Sequence, residues 1–273
     1  DIKCGVMGIL DAVELLLNKG FQLERTVYIA LEHDEEVGGS HGNAKIAAML
    51  DARGVRLQYV LDEGGVVTEG IIPSFSEPVA FIGVAEKGYV NVVLSVDEQS
   101  APNLDGHFSM PPPQTAVGVL AAAITRLESH PFPARLSGGT DLMLDFVGPK
   151  MPFLKRSAIA NRWLFRWPIQ REFAEERATN VTVRTTTAVT MIEGGVMRNV
   201  LPTTACAALN FRILTGDSVA DVESHVRQIT SDERITIKVE PHAVASKPSG
   251  VSDTESGEFK RFSVRFTRFF LAP

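Results

Sequence analysis

An apolar run that breaks abruptly into acids and then glycines, Tyr28-Ile-Ala-Leu-Glu-His-Asp-Glu-Glu-Val-Gly-Gly39, limits this chain more than any other feature. Carboxylates crowded at the end of a strand repel one another and raise each other's pKa. A cation is the usual reason for holding them there. The pattern recurs as Val60-Leu-Asp-Glu-Gly-Gly65, and Asp1 is a third acid, just before a helical pattern. One such acid alone would read as a helix cap or a solvated loop charge. Three, at the ends of successive elements, point to one metal-centred pocket.

The rest of the chain supplies a frame for that pocket. Val6 to Leu17 carries apolar residues at helical spacing and stops at Lys19-Gly20. Arg25 to Leu31, Leu57 to Leu61 and Val79 to Val84 read as strands, with a helix from Ser40 to Arg53 closed by Gly54. Strand and helix alternate, which predicts an α/β layer with a mainly parallel sheet over residues 1–85. The pattern then changes. Tyr89 to Val96 is a half-exposed strand, and Pro111-Pro-Pro-Gln-Thr115 opens a helix through Leu127. Thr185–Ile192 and Thr203–Ile213 are antiparallel strands. Ser218–Ile229 is a helix capped by Asp217 or Ser218, and Ile235–Val239 is a last strand. The order β-α-β-β-α-β predicts a second, two-layer domain over residues 86–241, with a helical insert at about 131–180 that carries both tryptophans. Residues 242–273 would return to the first domain.

The net charge of −6, without a basic stripe, argues against nucleic acid as a partner. The two cysteines, Cys4 and Cys206, lack metal-ligand spacing and read as free thiols. No apolar run reaches transmembrane length, and no membrane contact is visible in the sequence pattern. The chain opens on Asp1 inside what already reads as a domain and ends on Pro273 without a polar tail. It is therefore expected to be an internal fragment of a longer protein.

Several side chains have the chemistry for a hydrolytic site. Glu35 and Glu36 are adjacent, so on an extended backbone one can hold a metal while the other faces a water. Asp62 closes a second strand, and carboxylate oxygens suit zinc as well as harder ions. His107, in the turn-rich Asp105-Gly-His107-Phe-Ser-Met-Pro, is placed to polarise a carbonyl, although a His there alone would read as a surface residue. Arg212 alternates with Phe211 and Ile213 and could grip a carboxylate in a two-pronged way or form a surface ion pair. Asn199 reads by itself as a turn residue.

Asp1-x-Lys, His33-Asp-Glu35-Glu36-x-Gly-Gly and Asp62-Glu-Gly-Gly are followed by Gly106-His107-x-Ser-x-Pro, Asn199-Val-Leu-Pro and Asn210-Phe-Arg212. In that order they resemble the dinuclear zinc family of aminoacylases, glutamate carboxypeptidases and succinyl-diaminopimelate desuccinylases. Glu86-Lys-Gly, Met110-Pro-Pro-Pro, Arg184-Thr-Thr-Thr-Ala and Ser252-Asp-Thr look closest to the branch of Gly-Xaa carboxypeptidases and N-acyl-amino-acid hydrolases. The resemblance implies a zinc-peptidase catalytic domain, incomplete here, and a lid domain that forms a homodimer. It implies two zinc ions, with Asp1 bridging both, Glu36 on one and Asp62 on the other. Glu35 would be the general base. His107 would reach the partner subunit's site and steady the oxyanion, and Asn199 and Arg212 would bind substrate. The substrate class would be N-acyl amino acids or short peptides with a free C-terminal carboxylate. The alternative is a non-catalytic dimerisation or binding fragment that has lost the complete metal site. The family also places one zinc His just upstream of the bridging Asp and another near the end of the catalytic domain, and neither motif lies in this chain. The isolated chain is thus expected to be poorly folded or inactive and to bind zinc weakly. In calorimetry it should show no tight uptake of two equivalents; tight binding of two would contradict this ligand count.

Overall fold

The computed structural model describes residues 3–35, 38–64, 67–70, 72, 75, 77–101, 109–239 and 245–270. The chain divides into two compact units, Asp1–Val66 and Val67–Pro273.

The first unit holds helix α1, Lys3–Asn18, and helix α2, Asn43–Ala52. Both stop where the sequence places a glycine. Gly20 and Gly54 take positive φ, and the amides of Phe21 and Val55 reach back to Leu16 and Leu50 carbonyls, which closes the last turn. The segments 25–31 and 57–61 differ from the sequence expectation. They lie outside any strand, so the parallel sheet foreseen for this unit does not form among the described residues. Parallel strands persist only with both faces covered. Here the apolar side chains of these runs stand in solvent, Val60 at 74% and Val27 at 58% exposure, and neither helix buries a side chain.

The second unit opens with a two-stranded antiparallel ladder, β1 (Val67–Thr68) on β2 (Val79–Ala80). Then follow β3 (Gly88–Val96), α3 (Ala116–Ser129), the insert helices α4 (Gly139–Val147), α5 (Phe153–Ala160), α6 (Arg162–Glu175) and α7 (Arg177–Val183), β4 (Thr186–Gly194), β5 (Ala205–Ile213), α8 (Val219–Thr230), β6 (Thr236–Val239) and α9 (Gly257–Phe270). The four long strands form one antiparallel sheet in the order β4-β5-β3-β6. Apart from the insert, β3 to β6 follow the order β-α-β-β-α-β.

Alternation along the strands decides which face is buried. Val90, Val92, Leu94 and Val96 of β3 and Leu209, Phe211 and Ile213 of β5 point to one side. There they meet Val119, Leu120, Ala123 and Leu127 of α3 and Val222 and Val226 of α8. Tyr89, Asn91, Asn210 and Arg212 take the opposite face. The prolines Pro111–Pro113 lie ahead of α3, whose N-cap is Thr115; its hydroxyl accepts from the Gly118 amide at 3.2 Å. For α8 the cap is Ser218, in a reciprocal capping box with Asp221. Asp217 is used elsewhere. It pairs with Arg135 at 2.6 Å and accepts from the Thr185 hydroxyl, tying the start of the insert to the β5–α8 junction. The insert builds a small core of its own from Leu136, Leu144, Val147, Ile159, Ile169 and Val183, joined by Ile72 and Phe75. Both cysteines are free.

Candidate active site

The acidic turn of the first unit is organised by two carboxylates that the sequence reading did not single out. Glu32 accepts from the Asn43 backbone amide at 2.8 Å and also from the Asn43 side chain, at the start of α2. A carboxylate there satisfies an orphan amide and faces the positive end of the helix dipole. Asp34 is buried and accepts the His41 amide at 2.7 Å, while its own carbonyl takes the Gly39 amide at 2.8 Å. The His41 amide holds the Asp34 carboxyl below its ordinary pKa, against the opposing effect of burial. Gly42 sits so close to this pair that a Cβ would fall 2.4 Å from Asp34 Oδ1 and 2.6 Å from Glu32 Oε2. A side chain at Gly42 would therefore drive the carboxylates apart. The signal was present in the sequence as acids preceding a helix start, but the choice among them depends on the turn geometry.

Glu35 is the next residue, and its side chain is exposed; its carbonyl accepts the Gly38 amide at 2.9 Å. Asp62 is also exposed, with one oxygen accepting the Glu63 amide at 2.8 Å. Asp1, Glu36 and His107 lie outside the described residues. Among the described residues, no three of His, Cys, Asp and Glu come together as a metal site. The carboxylates singled out from the sequence fit a divalent cation in kind, being hard oxygen donors.

In the second unit the exposed face of the sheet carries a polar row. Arg212 lies over the Tyr89 ring at 5.0 Å, directly across the β3–β5 ladder, and its guanidinium remains exposed. Asn210 donates to Asn91 at 2.9 Å along the same face. Lys87 donates to the carbonyls of Val181 and Arg184, each at 2.9 Å, which fastens the end of α7 to the start of β3. Sequence reasoning missed Lys87, because only the fold brings those carbonyls to it. Asn199 is exposed in the connection between β4 and β5. Gly194 pairs with Ala205 at that end of the hairpin, whereas Arg212 pairs with Thr186 at the other. At about 3.3 Å per residue, Arg212 lies roughly 20 Å or more along the strand from the connection that holds Asn199. The register thus puts the connection that holds Asn199 and the pair that holds Arg212 at opposite ends of the hairpin. An apolar cleft of about 790 Å³ is lined by Phe81, Val84, Met143, Phe146 and Phe259, with Lys87 also in its wall.

Burial pushes the Lys87 amine down to about 8, helped by the Arg212 guanidinium and opposed by Asp217. Its folded-state value thus lies below its ordinary value of 10.5. Between those values the unfolded chain holds this proton more tightly, so this group makes the fold gain stability as pH rises from 8 towards 10.5 and lose it as pH falls through 8. Lys87→Met should remove that contribution. The difference in melting temperature between parent and variant should change across that window and be flat below pH 7; a constant difference throughout would contradict the assignment.

A model of the peptidase dimerisation domain matches residues 84–236. The chain is 41% identical over 240 residues to an N-fatty-acyl-amino acid synthase/hydrolase, PM20D1, of Xenopus tropicalis, covering 88% of this chain and 46% of that protein. It is 31% identical over 241 residues to carboxypeptidase S of Saccharomyces cerevisiae, covering 81% and 39% respectively. It thus spans less than half the length of these relatives. An M20 family metallo-carboxypeptidase from Sulfolobus solfataricus is similar in structure, with a TM-score of 0.48 at 16% identity over 87% of this chain and 53% of that one.

Proposed function

Because this chain belongs to the M20 family of peptidases and carries the family's dimerisation domain, we propose that the whole protein hydrolyses the amide bond of N-acyl amino acids or of short peptides with a free C-terminal carboxylate. What supports Glu35 as its base is its place in His33-Asp-Glu35-Glu36-x-Gly-Gly, the acidic motif of the family. Glu32 and Asp34 accept from the amides of Asn43 and His41, and the Glu35 side chain is exposed.

The family implies a divalent metal. In this reading Asp1, Glu36 and Asp62 would hold two zinc ions, which would supply Lewis acidity and a water of lowered pKa. Glu35 takes the proton of the attacking water and passes it to the leaving nitrogen. Arg212, braced over Tyr89, receives the substrate's free carboxylate. His107 steadies the negative charge that develops on the carbonyl oxygen. The span of the β4–β5 hairpin favours a homodimer in which Asn199, like His107, serves the other subunit's site, since Asn199 and Arg212 sit at opposite ends of it.

Side-by-side kinetics of the whole protein on a long-chain N-acyl amino acid and on a Gly-Xaa dipeptide test the substrate class. The acyl amino acid is expected to have the higher kcat/KM, and blocking its carboxylate as an amide should raise KM. A clear preference for the dipeptide would move the protein to the peptidase side of the family. No turnover of either, with metal bound, would overturn the hydrolase reading.

A further inference from the structure

The cleft of the second unit, at about 790 Å³, falls within the roughly 300–1,000 Å³ of small-molecule sites. Met143 and Phe146 of α4 line it, with Phe259 of α9 and with Phe81 and Val84 from the segment after β2. The Phe146 and Phe259 rings lie at 46° to each other with centroids 6.5 Å apart, and Phe146 keeps 59% of its surface exposed. Several hydroxyls of the wall are already engaged by the protein. Thr140 donates to the Thr182 carbonyl at 2.8 Å, Thr182 to the Thr179 carbonyl at 2.7 Å, and Ser263 to the Lys260 carbonyl at 3.1 Å. The wall therefore offers mainly hydrocarbon, which suits a ligand with few hydrogen bonds to lose on burial.

One cation stands in this wall. Lys87 gives two of its three N–H groups to the carbonyls of Val181 and Arg184, which are dipoles and not counter-charges. Asp217, the acid that acts on it, is bound to Arg135 at 2.6 Å, and Arg212 sets a second positive charge against it. Glu86 is the only acid among the described residues of the wall, and it is exposed. A half-buried cation beside another cation is unfavourable. An anion seated on the amine would offset both burial and Arg212, which together hold it down to about 8. We propose that this cleft binds a long-chain carboxylate, with the alkyl chain among Phe81, Met143, Phe146 and Phe259 and the carboxylate on Lys87. A segment of polypeptide fits the cleft less well. Its backbone amides and carbonyls would need partners from a wall whose hydroxyls are taken, whereas an alkyl chain needs none. The N-acyl amino acid of the proposed reaction and the fatty acid it releases both belong to this class, and in that respect the inference rests on the hydrolase reading.

Displacement of cis-parinarate, a fluorescent long-chain carboxylate, from the whole protein at pH 7 measures the affinity of octanoate, decanoate, dodecanoate and 1-decanol. None of these carries an amide, so failure here is separate from failure of the hydrolase reading. Affinity should rise about fourfold for each added methylene. Decanoate should bind roughly tenfold or more tightly than decanol. Lys87→Met should abolish that preference while decanol still binds, so the alcohol shows that the cleft remains folded. Phe146→Ser, at an exposed position, should weaken decanoate and decanol alike by roughly fivefold or more. Kinetics of Phe146→Ser then give the source of the chain. A KM raised for an N-decanoyl but not for an N-acetyl amino acid places the substrate's own chain in the cleft; an unchanged KM places the released acid there. The proposal is overturned if cis-parinarate does not bind the parent, which is also the result if the remainder of the protein fills the cleft. It is overturned equally by affinity that does not grow with chain length, by equal binding of decanoate and decanol, by a preference that survives Lys87→Met, or by full binding in Phe146→Ser.

Discussion

Replacing Glu35 by Ala in the whole protein should lower kcat by roughly 10²- to 10⁴-fold, the range for loss of a positioned general base. Metal content and melting temperature should hardly change. The turn around Glu35 is folded by its neighbours: Glu32 and Asp34 supply the carboxylates that engage the Asn43 and His41 amides, and the Gly38 amide binds the Glu35 carbonyl rather than its side chain. Ala keeps that carbonyl and so the backbone bond to Gly38. Asp34→Ala is the contrasting case. It removes a buried acceptor, leaves the His41 amide without its partner, and should disturb folding and activity together. The assignment of the base fails if Glu35→Ala retains most of its turnover. It fails too if the variant loses its metal in step with its activity, because Glu35 would then be a ligand.

The second unit was largely legible in the sequence because its elements satisfy their own patterns. β3 and β5 alternate buried and mostly half-buried residues along their length, and α3 and α8 bring apolar faces and hydroxyl caps of their own. The expected strand Tyr89–Val96 is found as Gly88–Val96, and the helix expected from Ser218 is found as Val219–Thr230. The runs 25–31 and 57–61 are different. Their apolar continuity says that they belong inside a sheet, but a buried parallel strand depends on layers above and below, which no local pattern supplies. The site divides in the same way. That acids gather between Glu32 and Glu36 is plain from the sequence, yet which of them folds the turn and which faces outward is decided by the amides at the start of α2. The separation of Asn199 from Arg212 likewise follows from the β4–β5 register, and their closeness in sequence conceals it. Exposure of Trp163 and Trp167 was hidden too, since a tryptophan among apolar neighbours reads equally well as core.

Phe211→Ala should cost the second unit about 3–5 kcal/mol, the usual price of emptying a buried phenylalanine site. The side chain is fully buried in β5, pairs across the ladder with Val90, and meets the Phe132 ring edge to face with centroids 6.3 Å apart. Those neighbours come from a strand and from the segment after α3, so no single side chain can move in to fill the space. Against an ordinary domain stability of about 5–15 kcal/mol, the loss would leave the sheet marginal. Amide hydrogen exchange of β3 and β5 under native conditions measures it, and protection of both strands should fall together because they share the cavity. Met191→Ala on the exposed part of β4 is the control, expected to stay within about 0.5 kcal/mol. The substitution also tests the site, because Phe211 pointing inward is what sends its neighbour Arg212 to the exposed face beside Tyr89. If Phe211→Ala cost less than about 1 kcal/mol, β5 would not be anchored by this residue, and the placement of Arg212 as a fixed carboxylate receptor would lose its support.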